Sequence, residues 1–188
     1  MKKKILLAVV LTGLSLVSRA QMFVVGTEAT SDLLMAPSLG LELVTGNYSS
    51  VAVNGFYCGG SWLGMLKDAK ITALQPEYRY WFSGRPVHKW FVGVGGLGAL
   101  YDIKHKGKVY DGYALGLGLT YGYVINLTRR LNIDIHSGFG VVMYNRKEYF
   151  EHDSYDTYYT RDGQQRANAR GYYLWPTRLG VSVTYILK

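Results

Sequence analysis

A histidine and a serine stand side by side at His136-Ser137, the residue types that a hydrolase uses as general base and nucleophile. Both would have to reach one substrate atom from one side of the chain. On an extended strand, neighbouring side chains point to opposite faces, so this pair could act together only across a β-bulge. His88, His105 and His152 are spaced unlike the ligands of a metal site. The single cysteine, Cys58, offers neither a disulfide framework nor a thiolate site. The glycine-rich run GVGGLG at 93–98 lies inside a strand pattern with no helix after it, and so reads as strand packing rather than a phosphate loop. No catalytic constellation, metal site or cofactor is expected, and the chain reads as a non-enzyme.

The remaining ionisable residues take their meaning from the segments that carry them. Eight strands are predicted, at about 22–31, 38–45, 49–58, 72–82, 90–103, 111–127, 131–144 and 172–187. On the sixth, Tyr113, Leu115, Leu117, Leu119, Tyr121 and Tyr123 share one face, and Ala114, Gly116, Gly118, Thr120 and Gly122 share the other. On the seventh, Leu131, Ile133 and Ile135 oppose Asn132, Asp134 and His136. On the fourth, Leu74, Tyr78, Tyr80 and Phe82 oppose Gln75, Glu77 and Arg79, and on the second Leu39, Leu41 and Leu43 oppose Gly40 and Glu42.

The charges thus fall on the face that is also rich in glycine. Small residues belong inside a narrow barrel, so the charged face is expected to be the interior and the apolar face to meet lipid. Glu28, Glu42, Glu77, Arg79, Asp134, His136 and Arg178 are placed inward by this parity. An eight-stranded barrel is just wide enough for side chains to fill, so these residues are expected to form a structural salt-bridge cluster rather than a site. The fifth strand is apolar or glycine on both faces and cannot be oriented from sequence.

The start of the chain carries an export signal. Lys2, Lys3 and Lys4 precede the apolar run 5–17, which is too short to span a bilayer, and Ser18-Arg19-Ala20 suits cleavage before Gln21. Residues 1–20 are read as a signal peptide and 21–188 as one barrel domain. The formal charge of +8 falls to +4 (17 basic against 13 acidic residues) without that segment, which gives no argument for nucleic-acid binding. Seventeen tyrosines and 23 glycines beside only 4 prolines suit curved strands.

Loop lengths alternate as well. Connections at 46–47, 83–89 and 128–130 are short. Those at 59–71, 104–109 and 145–171 fall on the other side, with Ala36-Pro37 as a short turn there. The segment 145–171 carries ten charged residues without alternation and is read as an exposed outer loop. Two aromatic girdles are expected. Tyr80, Trp81, Phe82, Trp90, Tyr121, Tyr123 and Tyr185 would form one, and Phe56, Tyr57, Tyr101, Tyr113, Tyr144, Tyr172, Tyr173 and Trp175 the other.

Five pieces carry a family resemblance: TSDLLMAPSLGLEL (30–43), LQPEYRYWF (74–82), the glycine-rich strand 90–101, YDGYALGLGLTYGY (110–123) and WPTRLGVSVTYILK (175–188). The chain resembles the DUF3575 family of Bacteroidetes proteins within the outer-membrane β-barrel superfamily. That resemblance implies a link to surface fimbriae by analogy. Many relatives carry a paired-cysteine segment in the last long loop, which this chain lacks. Arg178, Gly180, Val183 and Tyr185 also resemble the terminal-strand signal that barrel-assembly machinery reads, although the chain ends in Lys188 rather than an aromatic residue.

The fold expected is an all-β, eight-stranded, antiparallel up-and-down transmembrane barrel of the outer-membrane type. The function expected is structural or adhesive, a surface platform whose partners are outer-membrane lipid, the assembly machinery and fimbrial or other surface proteins met through 145–171. Alternatives are a narrow channel for small solutes and a lipid-modifying envelope enzyme. A soluble barrel would be marked by apolar faces too short to span about 25 Å.

Overall fold

A computed structural model describes residues 22–62, 66–105, 107–150, 160–161, 164–165 and 169–187. The signal segment 1–20 and about half of 145–171 lie outside these. The elements are β1 (Met22–Glu28), α1 (Ala29–Leu33), β2 (Ser38–Val44), β3 (Ser49–Trp62), β4 (Leu66–Trp81), β5 (Lys89–His105), β6 (Lys108–Asn126), β7 (Leu131–Phe150), β8 (Thr160–Arg161), β9 (Gln164–Gln165) and β10 (Ala169–Ile186). All strands but the β8-β9 pair close into one antiparallel barrel in the order β1-β10-β7-β6-β5-β4-β3-β2. β10 returns to β1 from Val24↔Ile186 to Glu28↔Ser182, which closes the ring and leaves an up-and-down topology.

The short turns gather at one end with the first and last strand ends. Thr45 N–H and Gly46 N–H both donate to the Ser49 carbonyl, at 3.0 and 3.2 Å, and seal the β2-β3 turn. At the β6-β7 turn, Leu127 N–H donates to the Leu131 carbonyl (3.0 Å). Thr128 Oγ1 then accepts from Leu131 N–H (2.9 Å). In the β4-β5 turn, Ser83 Oγ donates to the Arg85 and His88 carbonyls, both at 2.9 Å.

The strand faces follow the alternation. Outward residues such as Leu117 (67% exposed), Leu119 (65%), Leu179 (70%) and Leu74 (53%) are open, whereas inward Arg79 and Asp134 are each 2% exposed. The structure also orients β5: Phe91, Gly93 and Gly95 face inward and are buried, while Trp90, Val92 and Val94 face out. Glycine is required where strands approach most closely. Gly118 and Gly140 stand opposite one another between β6 and β7. A Cβ on either would run into the partner strand's backbone.

Several expectations are corrected. The outer hairpins are much taller than the alternation suggested, because the backbone ladder continues where side-chain patterning stops. β3 and β4 run on through most of the expected loop 59–71, and β5 and β6 through 104–109 to a tight turn with Gly107 at φ +76°. β7 and β10 likewise take both ends of 145–171. The first strand ends at Glu28 rather than 31, where α1 begins, so Ala36-Pro37 is not the whole turn. Trp81 belongs to no girdle: it is fully buried inside the barrel. Phe56, Tyr101 and Tyr144 take the inward parity, as do Tyr173 and Trp175 opposite inward Val142 and Gly140. A bulge at Pro176/Arg178 shifts the parity of β10 there, which a strict alternation through the strand cannot anticipate.

The wall is also uneven. β1 and β2 have 7 residues each, against 19 in β6 and 20 in β7. Among the described residues no helix is long and apolar enough to cross a membrane.

Candidate functional site

At the turn end the barrel is stoppered by apolar side chains: Val24, Val44, Trp81, Val87, Phe91 and Val124, with Met22 and Ile186 packed against them. Trp81 and Phe91 rings lie 5.0 Å apart. Val87 reaches this plug from the β4-β5 turn with φ at +58°, a conformation that a β-branched residue rarely adopts. Its buried side chain is what holds it there.

Directly above lies the ion-paired cluster, with Arg79 at its centre. Its Nε donates to Glu77 Oε2 at 2.7 Å, and one terminal nitrogen donates to Asp134 Oδ2 at 2.9 Å and Glu42 Oε2 at 3.1 Å. The guanidinium also lies 4.4 Å from the Phe91 ring centroid, which ties the polar layer to the plug beneath. Arg178 completes the pairing of Glu77 from across the barrel. His136 Nε2 lies 2.9 Å from Glu28 Oε1, and its Nδ1 lies 3.5 Å from Asp134 Oδ1. All seven inward residues named from parity are therefore buried in one layer.

Neutral residues complete the network, among them Gln75, which the alternation of the fourth strand had already placed on the charged face. Ser50 Oγ donates to Glu42 Oε1 (2.5 Å) and accepts from Trp81 Nε1 (2.8 Å). Gln75 Nε2 donates to the Thr177 carbonyl on the far wall (3.0 Å). With its amide oriented by hydrogen bonding, Asn54 accepts from the Arg178 guanidinium at 2.6 and 3.1 Å. Ser50, Asn54 and Gln75 lie on the inward parity, which is legible in the sequence, whereas Thr177 sits at the β10 bulge, which is not.

Glycines make the room. A Cβ at Gly180 would strike the Glu28 carboxylate and Thr30, and one at Gly40 would strike the Asn54 amide. Gly180 and Arg178 of the proposed assembly signal thus have structural work inside the barrel, whereas Val183 and Tyr185 are exposed on its outer face. The space left in the cluster is a void of about 20 Å³, room for about one water.

This geometry gives a rigid bolt across the lumen. It does not assemble a base and nucleophile at His136-Ser137, because His136 is buried in the cluster while Ser137 pairs with Leu179 and Tyr121 on the outward parity. Among the described residues no group of three or more potential ligands could hold a metal ion.

No curated protein and no solved structure matches this chain. Residues 5–187 match the family described as "Protein of unknown function (DUF3575)", and the chain belongs to that family.

Proposed function

We propose that the protein is an outer-membrane β-barrel of structural or adhesive type, a platform that holds its taller end at the cell surface for a partner. The observation that carries this reading is the continuous outward apolar face. On β6 it runs from Tyr113 through Leu115, Leu117 and Leu119 to Tyr121 and Tyr123, an aromatic residue at each end and leucines between. Ten residue steps at about 3.3 Å, tilted about 40°, rise about 25 Å, the height of the lipid-facing band of such barrels. A soluble barrel has no use for such a face, and an inward layer of seven ionisable residues is the matching half of the pattern. The short-turn end with both strand termini would face the periplasm, and the signal at 1–20 would deliver the chain there.

The partner would be a fimbrial subunit or other surface protein, or a surface glycan, met through 145–171. The apolar plug and the ion-paired layer weigh against the channel alternative, since both lie across the path a solute would take. Separation of His136 and Ser137 onto opposite faces weighs against an enzyme that works through that pair.

The test is membrane fractionation of the tagged protein, with a gel of heated and unheated samples. Outer-membrane location with a band whose mobility changes on heating is expected. A soluble pool with no mobility change overturns the reading. Deleting 153–167 should leave the heat-modifiable band intact and remove adhesion to the partner.

A further inference from the structure

The barrel wall is incomplete on one side. β2 pairs with β3 only as far as Ser38↔Phe56, with Tyr57 N–H donating to the Pro37 carbonyl (3.1 Å) just beyond. β1 pairs with β10 only as far as Glu28↔Ser182, and Thr30 Oγ1 then accepts from Val181 N–H at 3.4 Å. Among the described residues, above this point β10 is paired only with β7, from Ala169 to Gly180, and β3 only with β4, from Cys58 upward. Where two strands of a ring stop short, the flanking strands stand about three inter-strand spacings apart, or about 14 Å. α1 and the turn after it cross the lower part of this gap, with Leu33 and Met35 82% and 75% exposed.

Beside the gap, above the ion-paired layer, the lumen widens into a cavity of about 520 Å³. That size lies within the range of about 300–1,000 Å³ typical of small-molecule sites. Its lower wall is Leu97, Ala114 and Val142, which bring no side-chain donor or acceptor. Its upper wall is aromatic: Tyr144 and Tyr173 stack at 4.9 Å, and Trp175 lies beyond Tyr173 at 6.4 Å. Trp175 is inward by register yet 60% exposed, because it stands on the open β10 edge. Among the described residues the one cation of the lining, Arg146, lies 4.7 Å from the Tyr144 ring centroid and is paired with Glu148 at 2.6 Å. An anionic ligand therefore gains little there.

We propose that this cavity takes the hydrocarbon chain of a membrane amphiphile, which enters sideways through the gap between β3 and β10. The inference rests on the membrane reading above. A chain that needs no hydrogen bond fits the apolar lower wall, and the tyrosine hydroxyls and the Arg146–Glu148 pair at the rim suit an uncharged polar head. The gap stands beside outward Leu174 and Leu179, so its mouth is continuous with the apolar band.

The probe is 1-palmitoylglycerol with a diazirine at the end of its acyl chain, an uncharged amphiphile, reconstituted with the folded protein in phosphatidylcholine vesicles. Photolabelled positions are mapped by peptide mass spectrometry. Label is expected on inward Leu97, Ala114 and Val142 as well as on outward Leu115 and Leu117. Ala114→Trp fills the cavity and should reduce inward label to background while outward label persists. Val142→Phe serves the same purpose if Ala114→Trp gives no heat-modifiable band. Label confined to outward positions overturns the cavity proposal and leaves the membrane reading standing. Inward label unchanged in the filled variants also overturns it. Protection of the cavity by a soluble maltooligosaccharide, without inward lipid label, would make a glycan the occupant and overturn it too. A protein that stays in solution without vesicles overturns both.

Discussion

Arg79 carries more of the interior than any other residue. It bridges three carboxylates contributed by β2, β4 and β7, walls that do not adjoin one another around the ring. Removing a buried charge leaves its partners facing one another without compensation, which costs about 3–5 kcal/mol. Arg79→Met should therefore lower stability by about that much, measured as a shift of the urea unfolding midpoint in lipid vesicles, with Trp81 fluorescence as reporter. An unchanged midpoint would mean that the cluster does not hold the barrel together. Ser50 shows how a small neutral residue serves the same layer, because its hydroxyl links Trp81 of the plug to Glu42 of the ion pairs.

At the scale of elements, β6 and β7 are held close by glycine. Opposite Gly118, a Cβ at position 140 would meet Leu117 and Gly118 backbone atoms, which cannot retreat without breaking the ladder. Gly140→Val should destabilise by roughly 1–3 kcal/mol through overpacking. Gly55→Ala is the control: its new Cβ would find nothing nearer than 3.7 Å, so the change should stay within about 0.5 kcal/mol. Thermal shift of the heat-modifiable band distinguishes the two. Equal effects would mean that strand spacing is not set by these glycines. The short β1 and β2 matter at this scale too, since their early end is what opens the wall, and no pattern of polarity in 22–44 marks it.

For the whole molecule, the outward apolar band and the closed lumen lead to separate expectations. Leu117→Arg places a charge midway along the band and should cost roughly 2–4 kcal/mol of stability in a bilayer, read from unfolding in vesicles. Tolerance of that arginine in vesicles would place the face in water. The plug and the ion-paired layer together block the axis, so planar-bilayer recordings should give no stable conductance. A steady unit conductance from the wild-type protein would revive the channel reading and require the plug to move.

Local chemistry was enough to settle the eight strands of the ring, their antiparallel order and the identity of the inward face, but not the short β8-β9 pair outside it. A period-2 pattern is a property of consecutive residues, and Asp134 and His136 could be assigned to one side from Leu131, Ile133 and Ile135 alone. The seven inward ionisable residues were legible for that reason. Which of them touch was not, because Arg79 meets Glu42 and Asp134 across 37 and 55 residues of chain, distances that only closure of the ring removes. Closure also decided the direction of β5, whose glycines carry no polarity signal until Phe91 is seen to fill the plug. The fate of Tyr144, Tyr173 and Trp175 depended on a bulge at Pro176/Arg178 and on the missing upper wall beside β10. Both are features of pairing between strands, and pairing is a relation between distant segments that no single segment encodes.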